Sequence, residues 1–227
     1  MEASNSAARP AETSAVIINF RTADETSRAI SSLRAFYPSL PLLLIDNGSN
    51  DQSTEALRAF CDKSPGTTEL LINDHNRYHG PAMHQALRHL SSRLVFLMDS
   101  DCVIQRGGFL ELMAAQFDGT DKAYAVGKRV YMNKRGYDTA SPDKAFLYVR
   151  PFFMLLKREV YLALPPFAHH GTPCLANMRE ANRRGFSLID FPVEQYVTHG
   201  GRGTAGKYGY GLGWRGKLNH LLNKLGL

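Results

Sequence analysis

Apolar and polar positions follow two rhythms along this chain. Short unbroken apolar runs stop abruptly at polar residues, and between them apolar residues recur at helical spacing. The most informative run is Leu94-Val95-Phe96-Leu97-Met98, which stops at Asp99-Ser100-Asp101 before Cys102 and Val103. Five consecutive apolar residues bounded by polar ones predict a strand covered on both faces, as in a parallel α/β sheet. Ala15-Val16-Ile17-Ile18-Asn19-Phe20 and Leu42-Leu43-Leu44-Ile45 repeat the pattern, the second stopped by Asp46-Asn47-Gly48-Ser49-Asn50-Asp51. Glu69 to Ile72 predicts a third short strand.

Helices fall between these runs. Ala29, Ile30, Leu33 and Phe36 predict one from Asp24 to Phe36, closed by Pro38 and Pro41. Ser53 or Asp51 caps a second, running to about Cys61. Pro81 suits the first turn of a third, reaching about Ser91. Alternating strand and helix predicts a mostly parallel sheet with right-handed crossovers. The second half is less regular: a helix over Phe109 to Phe117, strands over Ala123 to Met132 and Ala145 to Leu156, a helix from near Leu175 to Gly185, and strand from Phe186 to Val197 broken at Pro192.

Composition narrows the class. With 227 residues, 44% hydrophobic and 21% charged, the chain is an ordinary globular sequence, best read as one domain. No apolar run approaches the roughly 20 residues that span a bilayer. Residues 1–14 lack the apolar core of a secretory signal and are expected to form a flexible leader, which points to a cytoplasmic protein. Cys61, Cys102 and Cys174 are odd in number and widely spaced, against a disulfide framework or a zinc knuckle. A net charge of +6 suits nucleic acid, an anionic membrane face or a phosphorylated substrate, though many basic proteins need none of these. Lys and Arg are spread along the chain rather than gathered with aromatic residues, so a nucleic-acid module is not expected.

The chemistry concentrates at strand ends. Ligands of parallel α/β sheets bind beyond the carboxyl ends of the strands, where Asp99 and Asp101 fall. Two carboxylates so close repel unless a cation, a proton or hydrogen bonds compensate. Magnesium or manganese, which takes carboxylates together with phosphate oxygens, is the natural partner, and a diphosphate-bearing substrate follows. The plain alternative is that Asp-Ser-Asp caps a helix or turns the chain. Three strand tips, at Asn19, Asp46 and Asp99, are expected to converge on one crevice.

In this order the motifs resemble the family 2 glycosyltransferases of the GT-A fold, over roughly residues 15 to 200. The matching residues are Val16-Ile17-Ile18-Asn19-Phe20, Ile45-Asp46-Asn47-Gly48-Ser49, Asn76 with Gly80 and Ala82, Phe96-Leu97-Met98-Asp99-Ser100-Asp101, and a late Thr198-His199. The resemblance implies an α/β, Rossmann-like nucleotide-diphospho-sugar transferase fold with a mostly parallel central sheet. It divides the chain into the leader, a GT-A domain over residues 15–207 and a tail over residues 208–227. It implies a metal-dependent sugar transfer from a nucleotide-sugar donor to a hydroxyl of a glycan, lipid-linked or small-molecule acceptor. Asp46 would hold the base, with Asn19, Phe20, Asn76, Arg77 and Ser100 also on the donor. Asp99 would contact ribose or metal, and Asp101 the metal, with His199 as a third ligand to Mn2+ or Mg2+. Arg77, Arg202 or Lys207 would add positive charge beside the diphosphate. Asp46 as a turn residue and His199 as a loop histidine are the bland alternatives. Gly200, Gly201 and Gly203 suggest a loop able to close over substrate.

The chain departs from the family in two places. Tyr78, His84 and Ala86 stand where the family has Gly, Asn and Gly. His169-His170-Gly171-Thr172-Pro173-Cys174 stands where it commonly has Gly-Glu-Asp before an Arg-bearing helix, of which Arg179 remains. Inverting members use such a carboxylate as the base for the acceptor hydroxyl. Here the candidates are His170 or His169, whose ordinary pKa of about 6.5 suits proton abstraction near neutrality. Either could instead bind acceptor phosphate or line a helix start, and Glu180 lies too deep in its helix to substitute. A retaining mechanism, an inactive nucleotide-binding relative and a nucleotidyltransferase of similar fold stay open, though Asn19-Phe20-Arg21-Thr22-Ala23 lacks the Gly-rich basic loop of the last. In the tail, Leu218, Leu221, Leu222 and Leu225 predict a short basic amphipathic helix. It would pack on the domain, on a second subunit, or on an anionic membrane face with Trp214 at the interface.

Overall fold

The structure is a computed structural model that describes residues 12–63, 66–140, 142–143, 145–168 and 172–200. Most of the leader, Arg202, Lys207, the tail helix and both candidate bases, His169 and His170, lie outside the described residues.

The first half alternates as its pattern dictates: β1 (Thr13–Asn19), α1 (Ala23–Phe36), β2 (Leu42–Asp46), α2 (Ser53–Lys63), β3 (Thr68–Ile72), α3 (His79–His89) and β4 (Leu94–Asp99). β1, β2 and β4 are buried along almost their whole length, because helices cover both faces of the sheet. Asp51 Oδ1 accepts the Ser53 N–H at 2.9 Å at the start of α2. α3 begins two residues before the expected position, so Pro81 is its third residue, still in the first turn where a missing N–H leaves no carbonyl unpaired.

The second half continues with β5 (Cys102–Ile104), α4 (Phe109–Ala115), β6 (Ala123–Asn133), β7 (Ala145–Lys157), α5 (Arg158–Leu162), α6 (Leu175–Arg183), β8 (Ser187–Asp190), a 3-10 turn at Val193–Gln195 and β9 (Val197–His199). The seven-stranded sheet runs β3-β2-β1-β4-β7-β6-β8. β7 alone is antiparallel to its neighbours β4 and β6; every other pairing is parallel. The stretch from Phe186 to Val197 is not one interrupted strand. Pro192 ends β8, the 3-10 turn redirects the chain, and β9 pairs with β5 in a separate two-stranded sheet. That small sheet places His199 directly opposite Cys102, one residue beyond Asp101.

Two apolar layers enclose the large sheet. Phe96, Phe109 and Phe153 pack with centroids 4.7–5.3 Å apart on the α1/α4 side. Tyr124, Tyr148 and Tyr161 are fully buried on the α3/α6 side. Among the described residues no helix is long and apolar enough to cross a membrane.

Candidate functional site

The carboxyl ends of β1, β2 and β4 meet where the strand order predicts. Asn19 closes β1 and Asp46 closes β2, in register with each other. Asn19 Nδ2 donates to Asp46 Oδ1 at 3.2 Å and to Ser49 Oγ at 2.9 Å, while its Oδ1 accepts from Thr26 Oγ1 at 2.8 Å. Asp46 is 1% exposed; its carboxylate also accepts from the Ser49 and Thr54 hydroxyls. What β2 presents is therefore a hydrogen-bonded turn rather than an open carboxylate. Gly48 makes that turn possible: at φ +76° an added Cβ would lie 2.3 Å from the backbone of His75.

A second layer of amides ties in the β3–α3 loop. Asn47 Oδ1 accepts from Asn73 Nδ2 at 3.0 Å and from the Arg77 N–H at 3.2 Å, and Asn47 Nδ2 donates to Asn76 Oδ1 at 3.1 Å. Asn76 in turn accepts the Tyr78 N–H at 2.7 Å. The Arg77 side chain is exposed, and Phe20 lies half-buried under the Arg21 guanidinium, 5.3 Å from its ring centre.

β4 delivers the carboxylates. Asp99 ends the strand, Ser100 is buried with its Oγ 3.3 Å from Thr22 Oγ1, and the chain turns through Asp101 into β5. His199 Nε2 lies 3.2 Å from Asp101 Oδ1 and 4.0 Å from Asp99 Oδ2. The hydrogen bond to Asp101, aided by both carboxylate charges and opposed by burial, raises the pKa of His199. Its imidazole stacks on Phe152, with ring centres 4.5 Å apart at 14°. From the other side His79, in the first turn of α3, brings Nε2 to 3.4 Å from Asp99 Oδ1.

Asp101, Cys102 and His199 offer ligand atoms within 4.8 Å of one another. Cys102 is a poor member of this set: it is fully buried, its thiol points to the Phe152 carbonyl at 3.4 Å, and burial pushes its pKa up. Asp101 and His199 remain, and with Asp99, whose Oδ2 lies 4.0 Å from His199 Nε2, they make a mixed oxygen and nitrogen set that fits a divalent ion such as Mn2+.

Of the residues expected from sequence, Asn19, Asp46, Asp99, Ser100, Asp101 and His199 thus gather at adjoining strand ends, and Asn76 braces the loop beside them. Sequence reasoning missed Thr22, Thr26, Thr54, Asn73, His79 and Phe152. Only His79 carried a local signal, as the neighbour of Gly80. An added Cβ on Gly80 would lie 2.6 Å from the Ala168 backbone, which lets α3 press close to the segment leading to α6. Glu180 is engaged by Arg183 and Arg184.

The model of glycosyl transferase family 2 matches residues 14–185. Among solved structures, the mannosyltransferase PcManGT from Pyrobaculum calidifontis, in complex with GDP-Man and Mn2+, is 17% identical with a TM-score of 0.66. The alignment covers 95% of this chain and 64% of that one. GalNAc-T7 with UDP, GalNAc and Mn2+ is 13% identical with a TM-score of 0.68, covering 82% of this chain and 43% of that one. TarS from S. aureus, residues 1–349, is 13% identical with a TM-score of 0.58, covering 82% and 59%. This chain spans less than two thirds of each, and at these identities the likeness is one of fold. No curated protein matches it in sequence.

Proposed function

The chain belongs to glycosyl transferase family 2 and has the GT-A fold, and from that premise we propose that it moves a sugar from a nucleoside-diphosphate donor to an acceptor hydroxyl with the help of a divalent ion. The observation that carries this reading is the meeting of Asp99, Asp101 and His199 beside the Asn19–Asp46 floor.

Each group then has a task. The floor built by Asn19, Asp46 and Ser49, with the Asn47–Asn76 brace, orients the nucleoside. Asp99, Asp101 and His199 hold the ion, and Phe152 keeps the His199 ring in plane. When bound, the ion supplies positive charge against the negative charge that develops on the departing diphosphate. His170 is the proposed base for the acceptor hydroxyl. The residues flanking its segment support this: Ala168 N–H donates to the Pro173 carbonyl at 3.0 Å, and Ala168 sits against Gly80, next to His79. PcManGT and GalNAc-T7 were each solved with Mn2+ and a nucleotide or nucleotide sugar, and TarS with UDP-GlcNAc, which supports the same ligand class here.

The test is a calorimetric titration with UDP, GDP and dTDP, each with and without Mn2+. Tight, metal-dependent binding of one of them is expected and names the donor base. Absence of binding by all three sinks the proposal. Binding without transfer to any hydroxyl acceptor would instead identify an inactive relative.

A further inference from the structure

β7 does not stay in register along its length. Gly127 of β6 pairs with Met154 and Arg129 pairs with Val149, so Lys128 alone faces Arg150, Pro151, Phe152 and Phe153. Phe153 keeps its pairing with Met98 of β4, while the segment before it runs past the Asp99 end of β4. Pro151 has no N–H to lose from the ladder, and bulges beside active sites commonly re-aim a side chain. Gly127 is needed opposite the bulge: an added Cβ would lie 2.7 Å from the Phe153 carbonyl oxygen and 2.9 Å from Val149 Cγ1.

The bulge turns two side chains to use. Phe152 stacks on His199. Arg150, two residues before Phe152, makes an ion pair with Asp138 in the turn between β6 and β7. That turn also carries the exposed Lys134, and its Gly136 abuts the Thr172 side chain, so it stands beside the segment leading into α6. In the sheet order, Arg150 lies across β4 from Asn19 and Asp46. It is therefore on the far side of the carboxylates from the nucleoside floor, a side that the donor-binding residues leave free for an acceptor.

We propose that Arg150 binds an anionic group, a phosphate or carboxylate, of the acceptor, so that this enzyme prefers a hydroxyl acceptor that also carries negative charge. The inference rests on the transferase reading above. Arg150 and Asp138 are 39% and 55% exposed, and an ion pair so open to solvent contributes little to stability. An incoming anion can join or replace Asp138 at little cost. A guanidinium has five donors in a planar fork, suited to bidentate contact with phosphate or carboxylate.

The probes are glycerol phosphate and glycerol, titrated into the protein with Mn2+ and the nucleoside diphosphate it binds. Glycerol phosphate should bind the wild type measurably and glycerol at least tenfold more weakly. Arg150→Ala should weaken glycerol phosphate at least fivefold, Arg150→Lys less, and neither should alter the Kd of the nucleoside diphosphate. Equal binding of the two probes, or glycerol phosphate binding unchanged in Arg150→Ala, overturns the proposal. So does a parallel loss of nucleoside diphosphate affinity, which would assign Arg150 to the donor. Nucleoside diphosphate binding by the wild type reads out the underlying transferase reading separately, because it can persist when the acceptor proposal fails.

Discussion

His79 Nε2 and Asp99 Oδ1 stand 3.4 Å apart, joining the first turn of α3 to the end of β4. Both side chains are a little over a quarter exposed, at 27% and 29%, so the contact shapes the site without belonging to the core. A group that orients a metal-binding carboxylate commonly changes metal affinity by about 10–100-fold when removed. His79→Ala is therefore expected to weaken Mn2+ binding by about tenfold while leaving the unfolding midpoint nearly unchanged. Mn2+ titration followed by electron paramagnetic resonance checks the first, and urea denaturation the second.

Asp101 carries a different expectation. It is 14% exposed, hydrogen-bonded to His199, and sits at the turn from β4 to β5. Asp101→Ala should abolish the metal-dependent part of nucleoside diphosphate binding, and chelation with EDTA should bring the wild type to the same level. Unchanged calorimetric binding in the variant would remove Asp101 from the metal site.

Tyr78 occupies backbone space that suits glycine. Its φ of 68° and ψ of 165° fall in a region that costs a side chain about 1–3 kcal/mol, and the ring is 53% exposed. Tyr78 thus holds a conformation that glycine adopts without strain. Tyr78→Gly should stabilise the protein by about 1 kcal/mol, after allowing roughly 1 kcal/mol for the greater freedom of an unfolded glycine. Denaturant midpoints decide it, and a destabilised variant would mean that ring contacts outweigh the strain.

Tyr37 supplies a pH dependence far from the site. Its hydroxyl donates to Glu111 Oε2 at 3.0 Å and accepts the Leu110 N–H at 3.2 Å, tying α1 to α4. Burial first, and then Glu111, push its pKa from 10.0 up to about 12. The folded value lies above the unfolded one, so the neutral phenol's contribution is complete below about pH 10 and is lost as pH rises through about 12. The stability of wild type over Tyr37→Phe, about 1 kcal/mol for such hydrogen bonds, should hold constant to pH 10 and shrink above it. Urea unfolding of both proteins between pH 7 and about 12 measures the difference.

The apolar runs determined the first half of the fold by themselves. A buried parallel strand must be apolar along its length and end at a polar tip, so Ala15 to Phe20, Leu42 to Ile45 and Leu94 to Met98 could be read directly, and with them Asn19, Asp46, Asp99 and Asp101. Such runs fit strands buried on both faces, and their shortness and polar ends favour strand over a buried helix segment. The second half was only partly legible. Nothing local in Val197-Thr198-His199 says that it pairs with Cys102-Val103-Ile104, because that pairing spans about 95 residues and depends on the turn after Pro192. The tertiary structure alone put the His199 ring between Asp101 and Phe152. It alone placed His79 on Asp99, a contact between the start of a helix and the end of the strand that follows it. The β7 bulge is of the same kind: Pro151 and Gly127 are unremarkable in sequence, and only the pairing of β6 with β7 shows that the register shifts between Gly127 and Arg129 and sets Phe152 against His199. Periodicity reports what each segment buries, whereas which tips meet depends on long-range pairing that no single segment encodes.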